Sequence, residues 1–142
     1  MLSKTFIFFL MSVFMIHTCS SQEINWKNSR NWKIYDIYGQ AAIRSTLDTL
    51  PHFLSLTLNQ DTMQTFLHDV TIWPKEKSSL WMGSYVVTCE TDDNKPRKIL
   101  VSTYAGFFYD QVTRRYYQVP AELVDEWLDF LNNTCKRMIV TD

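Results

Sequence analysis

The spacing of apolar residues changes half-way along this chain of 142 residues, and this change restricts the fold more than any other feature. In the first half, apolar residues recur three and four positions apart, as they do on one face of a helix. From residue 80 onward they form short runs rich in aromatic and β-branched residues, which are typical of strands. The sequence therefore predicts an α+β fold.

Two helices are predicted in the first half, after a possible strand at residues 32–38. A helical stripe of apolar residues begins at Ala42, and Pro51 breaks or kinks it. The second helix has Asn59 as its N-cap and is closed by Pro74. The apolar face of this second helix is formed by Met63, Phe66, Leu67 and Val70.

Short runs at residues 80–90, 98–104 and 115–119, with a further one at 107–109, predict an antiparallel meander of three to four strands. A C-terminal helix is predicted to follow, because Pro120 occupies a favourable position for a helix start. We expect this helix to pack on the sheet through one apolar face. That face is formed by Leu123, Val124, Trp127, Leu128, Leu131, Cys135 and Met138.

The N-terminus has the features of an export signal. A single lysine precedes an apolar run at residues 5–16, which is too short to span a bilayer and ends in polar residues. The sequence I-H-T-C at residues 16–19 resembles a bacterial lipoprotein signal. The resemblance implies that Cys19 carries a lipid and that the protein is a periplasmic or outer-membrane-anchored lipoprotein. Cleavage after Ser20 or Ser21 is the alternative and implies a secreted protein.

These features divide the chain into a signal peptide (residues 1–21), a polar tether (22–31) and a single α+β domain (32–142). Whichever cleavage occurs, Cys19 is acylated or removed, which leaves two cysteines in an oxidising compartment. Cys89 lies on the bulkier face of a strand, and Cys135 lies on the apolar face of the last helix. We therefore expect a disulfide between Cys89 and Cys135.

Charge and motifs predict no catalytic residue, no metal ligand and no cofactor. Because the net charge is −1, the chain has no basic field for a phosphate backbone, and nucleic acid is not an expected partner. The sequence contains no H-E-x-x-H, C-x-x-C or G-x-S-x-G motif. These absences favour a function without catalysis. The alternative to a non-enzymatic binding protein is an envelope enzyme or a small-ligand-binding protein, for which His68, Asp69 and Asp110 are the candidate polar residues.

The most unusual segment is residues 104–117, with the sequence YAGFFYDQVTRRYY. Side chains alternate between the two faces of a strand, so these aromatic residues cannot all lie in one core. Either a second layer covers the other face, or the aromatic residues form a protein-binding surface with the arginines. The residues predicted to contact a partner are Phe108, Tyr109, Arg114, Arg115 and Tyr116.

Small size, export, one disulfide and the lack of a catalytic set together resemble the format of periplasmic immunity proteins and enzyme inhibitors. This is a likeness of format, because no motif of the chain specifies it. It implies a non-enzymatic protein of the bacterial envelope whose partner is another protein, a toxin or an envelope enzyme. Contact with the membrane is expected only through the N-terminal lipid.

Overall fold

A computed structural model describes residues 24–74 and 84–140, and an antiparallel sheet of seven strands runs through this part of the chain. The strands are β1 (Arg30–Tyr38), β2 (Ser55–Thr57), β3 (Thr71–Trp73), β4 (Ser84–Glu90), β5 (Pro96–Ser102), β6 (Phe107–Asp110) and β7 (Arg115–Gln118). The α-helices of the same described residues are α1 (Gly39–Arg44), α2 (Gln60–Leu67) and α3 (Val124–Val140). Short 3-10 helices in this part of the chain span Trp26–Asn28, Leu50–His52 and Ala121–Leu123. The predicted signal peptide, with Cys19, lies outside the described residues.

The strands follow the order β2-β1-β4-β5-β6-β7-β3 across the sheet. The predicted α+β class, antiparallel sheet and C-terminal helix are confirmed, but the predicted number of three to four strands is wrong. The sheet contains three strands beyond the predicted meander. One is β1, which agrees with the possible strand at residues 32–38. The other two, β2 and β3, were not predicted, because they have three residues each, which is too short to show an alternation in the sequence. They form the two edges of the sheet, where short strands limit pairing with other chains.

The helices of the first half are shorter than predicted. The stripe that begins at Ala42 gives only the six residues of α1. The N-cap of α2 is confirmed, since Oδ1 of Asn59 accepts a hydrogen bond of 3.0 Å from the backbone N–H of Thr62. Helix α2 ends at Leu67, well before Pro74, because the residues that precede Pro74 pair with β7 as strand β3.

The main core lies on one face of the sheet, beneath α2 and α3. Trp32, Phe108 and Trp127 are among its largest fully buried side chains. The ring of Trp26 packs edge-on against Phe108 and Tyr117, with centroid distances of 5.2 Å in both pairs. Residues 26–31, which belong to the predicted polar tether, are therefore part of the fold.

The opposite face of the sheet carries a smaller apolar cluster, which includes Ala42 of α1 and Leu100 of β5. Lys98 connects α1 to β5, because its ammonium donates hydrogen bonds to the carbonyls of Ala42 (2.8 Å) and Ser45 (2.5 Å). Carbonyls at a helix C-terminus have no partner within the helix. Lys98 is 5% exposed, and burial lowers its pKa to about 8. This lysine therefore acts as the C-terminal cap of α1.

The two mature cysteines lie in the main core, but the predicted disulfide is absent, and both are buried free thiols. The hydroxyl of Tyr85 donates a hydrogen bond to the sulfur of Cys135. Tyr85 and Cys89 are four residues apart on β4, which separates them by about 13 Å. A disulfide requires Cα atoms within about 7 Å of each other. The prediction placed both cysteines on the correct face but misjudged where α3 crosses β4.

We predict that Lys98→Met lowers the free energy of unfolding by about 1–3 kcal/mol, because it removes the ammonium that bonds the carbonyls of Ala42 and Ser45; among the described residues, the Ala42 carbonyl then keeps only the hydroxyl of Ser45 as donor. Chemical denaturation measures the change. Lys95→Met is the matched control, since Lys95 is an exposed lysine on the β4–β5 connection, and its effect should stay within about 0.5 kcal/mol. An unchanged stability of Lys98→Met would contradict the capping role.

We also predict that iodoacetamide labels Cys89 and Cys135 in denaturant without added reductant. In the folded protein both should stay unlabelled, because burial raises the pKa of each thiol and excludes the reagent. Peptide mass spectrometry reads the result, and a sample reduced before unfolding is the control. Recovery of a peptide pair linked through the two cysteines would show that the sequence-based prediction was right.

Candidate functional site

Strands β6 and β7 divide the aromatic segment between the two faces of the sheet. Phe108 pairs with Tyr117, and their rings stack in the main core with centroids 5.5 Å apart. Phe108 is 0% exposed. Of the residues predicted to contact a partner, Phe108 is therefore enclosed in the core of the protein.

The other side of the same strands carries four partly buried aromatic residues, Trp73, Phe107, Tyr109 and Tyr116, which we term the aromatic face. Tyr109 pairs with Tyr116 across β6 and β7, with ring centroids 4.6 Å apart. Tyr116 in turn pairs with Trp73 of the edge strand β3. The ring of Phe107 stacks on Trp73 at 5.7 Å and contacts Tyr116 at 6.4 Å. Three strands thus build one continuous row of rings.

The two predicted arginines occupy different places. Arg114 is exposed in the β6–β7 turn, with a left-handed backbone (φ 58°). Arg115 lies opposite Asp110 in the pairing of strands β6 and β7. Because side chains alternate along β7, the side chain of Arg115 lies on the same face of the sheet as that of Tyr117. The structure therefore brings Tyr109 and Tyr116 together with Arg114 at the adjoining turn, and it separates them from Arg115.

Two members of the aromatic face, Trp73 and Phe107, were not among the predicted contact residues. Phe107 belongs to the unusual segment, but the sequence does not indicate which of its aromatic residues share a face. Trp73 follows Thr71 and Ile72, and this triplet is the only local signal for strand β3. A run of three residues is too short to distinguish a strand from the end of a helix.

Asp110 holds the β6–β7 turn in place. Its carboxylate is 0% exposed and pairs with Nη1 of Arg97 at 3.3 Å. The same carboxylate accepts hydrogen bonds from Oγ1 of Thr113 (2.6 Å) and from the backbone N–H of Val112 (3.2 Å). These bonds satisfy a buried charge that would otherwise be costly. Asp110 therefore fixes the turn that aligns Tyr109 with Tyr116.

The candidate residues of the enzyme alternative do not form a cluster. Nδ1 of His68 lies 3.0 Å from Oδ1 of Asp69, but their side chains are 59% and 80% exposed. His52 is exposed as well. The carboxylate of Asp110 is already bonded to Arg97 and to Thr113 of the β6–β7 turn. Within residues 24–74 and 84–140, no group of three or more His, Cys, Asp or Glu side chains could hold a metal ion.

No helix in the described part of the chain is long and apolar enough to cross a membrane.

Comparisons with protein-family models, with curated proteins and with solved structures give no match to this chain.

Proposed function

We propose that this protein is a small, exported, non-enzymatic binding protein of the bacterial envelope, and that its aromatic face contacts a protein partner. The observation that carries the proposal is the row of four aromatic side chains on β3, β6 and β7, on the side of the sheet opposite the main core. Tyr, Trp and Arg are enriched among the residues that dominate the energy of protein interfaces.

The surroundings of the aromatic face favour a protein over a small ligand as the partner. The row of rings reaches the edge strand β3 through Trp73, which pairs with Tyr116 and is partly buried. The hydroxyl of Tyr109 gives this face a polar group, and burial raises its pKa. Arg114 adds a charged group at the adjoining turn. Aromatic residues with a polar rim have the composition of an interface.

The proposed partner is an exported protein, a toxin or an envelope enzyme, as for immunity proteins and inhibitors, whose small size and predicted export this chain shares without the expected disulfide. The predicted lipid on Cys19 would keep the domain at the membrane surface. Five residue steps separate Cys19 from Ile24, the first described residue that packs on the main core. A fully extended chain of this length spans about 17 Å, so the anchored domain would capture its partner close to the bilayer.

We predict that Tyr116→Ala weakens partner binding about tenfold or more, because it removes a ring from the centre of the aromatic face. A photo-crosslinking amino acid in place of Tyr116 identifies the partner in cells, and titration with the purified partner then measures the affinity. Tyr104→Ala is the matched control, since Tyr104 is 77% exposed and lies outside the aromatic face. If Tyr116→Ala binds the same partner as tightly as Tyr104→Ala does, this surface is not the binding site.

We further predict that the mature protein begins at an acylated Cys19 and that Cys19→Ser releases it from the membrane fraction. Intact mass of the mature chain gives both the cleavage point and any acyl mass. Ser20→Ala is the control and should remain acylated. A Cys19→Ser protein that still carries acyl mass would refute the predicted anchor, and a mature chain that starts after residue 20 or 21 would support secretion.

A further inference from the structure

A separate cleft of about 300 Å³ lies on the same side of the sheet as α1, between β1 and the segment that follows α1. Its lining includes Lys33 and Tyr35 of β1, Thr88 of β4, and Leu47 and Leu50. The lining comes from β1, β4, the first residue of β5 and the segment after α1, and it includes no residue of the aromatic face. The two candidate surfaces therefore share no lining residue. Its volume is at the low end of the range for ligand sites, about 300–1,000 Å³.

Two charged side chains line the cleft, Glu90 and Lys33, and among the described residues only Glu90 has a partner of opposite charge. Glu90 is engaged twice, since its carboxylate lies 3.6 Å from Nε of Arg30 and accepts a hydrogen bond of 3.0 Å from Nδ2 of Asn31. Lys33 is exposed, and no carboxylate of the described residues lies within 4.0 Å of its ammonium. The cleft therefore contains one positive charge that is left for a ligand.

The same cleft is lined by a second hydrogen-bond donor, the hydroxyl of Tyr35. Tyr35 follows Lys33 on the same face of β1 and is 8% exposed. Its hydroxyl oxygen accepts a hydrogen bond of 3.5 Å from Oγ1 of Thr88, and no described residue accepts its own proton. An ammonium and a phenol on one face match the two oxygens of a carboxylate, which accepts hydrogen bonds from both kinds of donor.

The opposite wall of the cleft is apolar. Leu50 is 1% exposed and belongs to the cluster under α1, whereas Leu47 is 37% exposed at the cleft. A ligand that covers Leu47 removes aliphatic surface from water, which favours binding. The wall therefore selects a ligand that has an aliphatic part beside its charged group.

We propose that this cleft binds a small organic carboxylate with a short aliphatic chain, whose carboxylate contacts Lys33 and Tyr35 and whose chain packs on Leu47. The anion pairs with the ammonium of Lys33 and accepts a hydrogen bond from Tyr35. The site is independent of the proposed protein partner, so the failure of either proposal leaves the other unaffected.

The test is a titration of the protein with hexanoate, followed by amide chemical shifts in solution. We expect the shifts to concentrate at Lys33, Tyr35, Leu47 and Thr88. Hexanamide, which has the same chain without the charge, should bind about fivefold more weakly, and inorganic phosphate should bind more weakly than hexanoate because it lacks the chain.

Two variants test the charge of Lys33 without disturbing the fold. Lys33→Gln and Lys33→Glu replace an exposed side chain, and each should reduce hexanoate affinity to that of hexanamide or below it. Lys27→Gln is the matched control, since Lys27 is an exposed lysine of the first 3-10 turn outside the cleft, and it should bind hexanoate as the wild type does.

Three results would overturn the proposal: equal hexanoate affinity in both Lys33 variants and the wild type, shifts that map away from the cleft, or phosphate binding as tight as that of hexanoate.

Discussion

An antiparallel sheet sends alternate side chains to opposite faces, and in this protein both faces are apolar over the central strands. Helices α2 and α3 cover one face. The other face is covered by α1, which has six residues and is therefore about 9 Å long. Seven strands spaced about 4.8 Å apart are about 29 Å wide, so α1 is too short to cover the whole of this face by itself. Among the described residues, the same face of the sheet carries α1, the cleft and the aromatic face.

Two buried charged groups maintain this arrangement. Lys98 holds α1 on the sheet through backbone carbonyls, and Asp110 holds the β6–β7 turn through Arg97 and backbone N–H groups. Each charge is satisfied by neighbouring polar groups, as burial requires. Lys98 thereby fixes the position of α1 on the second face of the sheet. Asp110 fixes the register in which Tyr109 lies opposite Tyr116.

Local signals allowed part of this fold to be predicted. The C-terminal helix and the Asn59 cap depend on neighbouring residues, and both are confirmed. The position of Cys135 along β4 depends on how α3 crosses the sheet, which no local pattern encodes. The aromatic segment was recognised, but its members could not be assigned to faces, because apolar residues occur on both sides of β6 and β7. Trp73 was missed because its strand is too short to show a period.

We propose that a partner in the envelope covers the aromatic face. Hydroxyl-radical footprinting of the protein in isolated envelopes, compared with the purified protein, measures this coverage. We expect the oxidation of Trp73 and Tyr116 to fall in envelopes and the oxidation of the exposed Tyr104 to stay the same. Equal oxidation of Trp73 and Tyr116 in the two samples would contradict it.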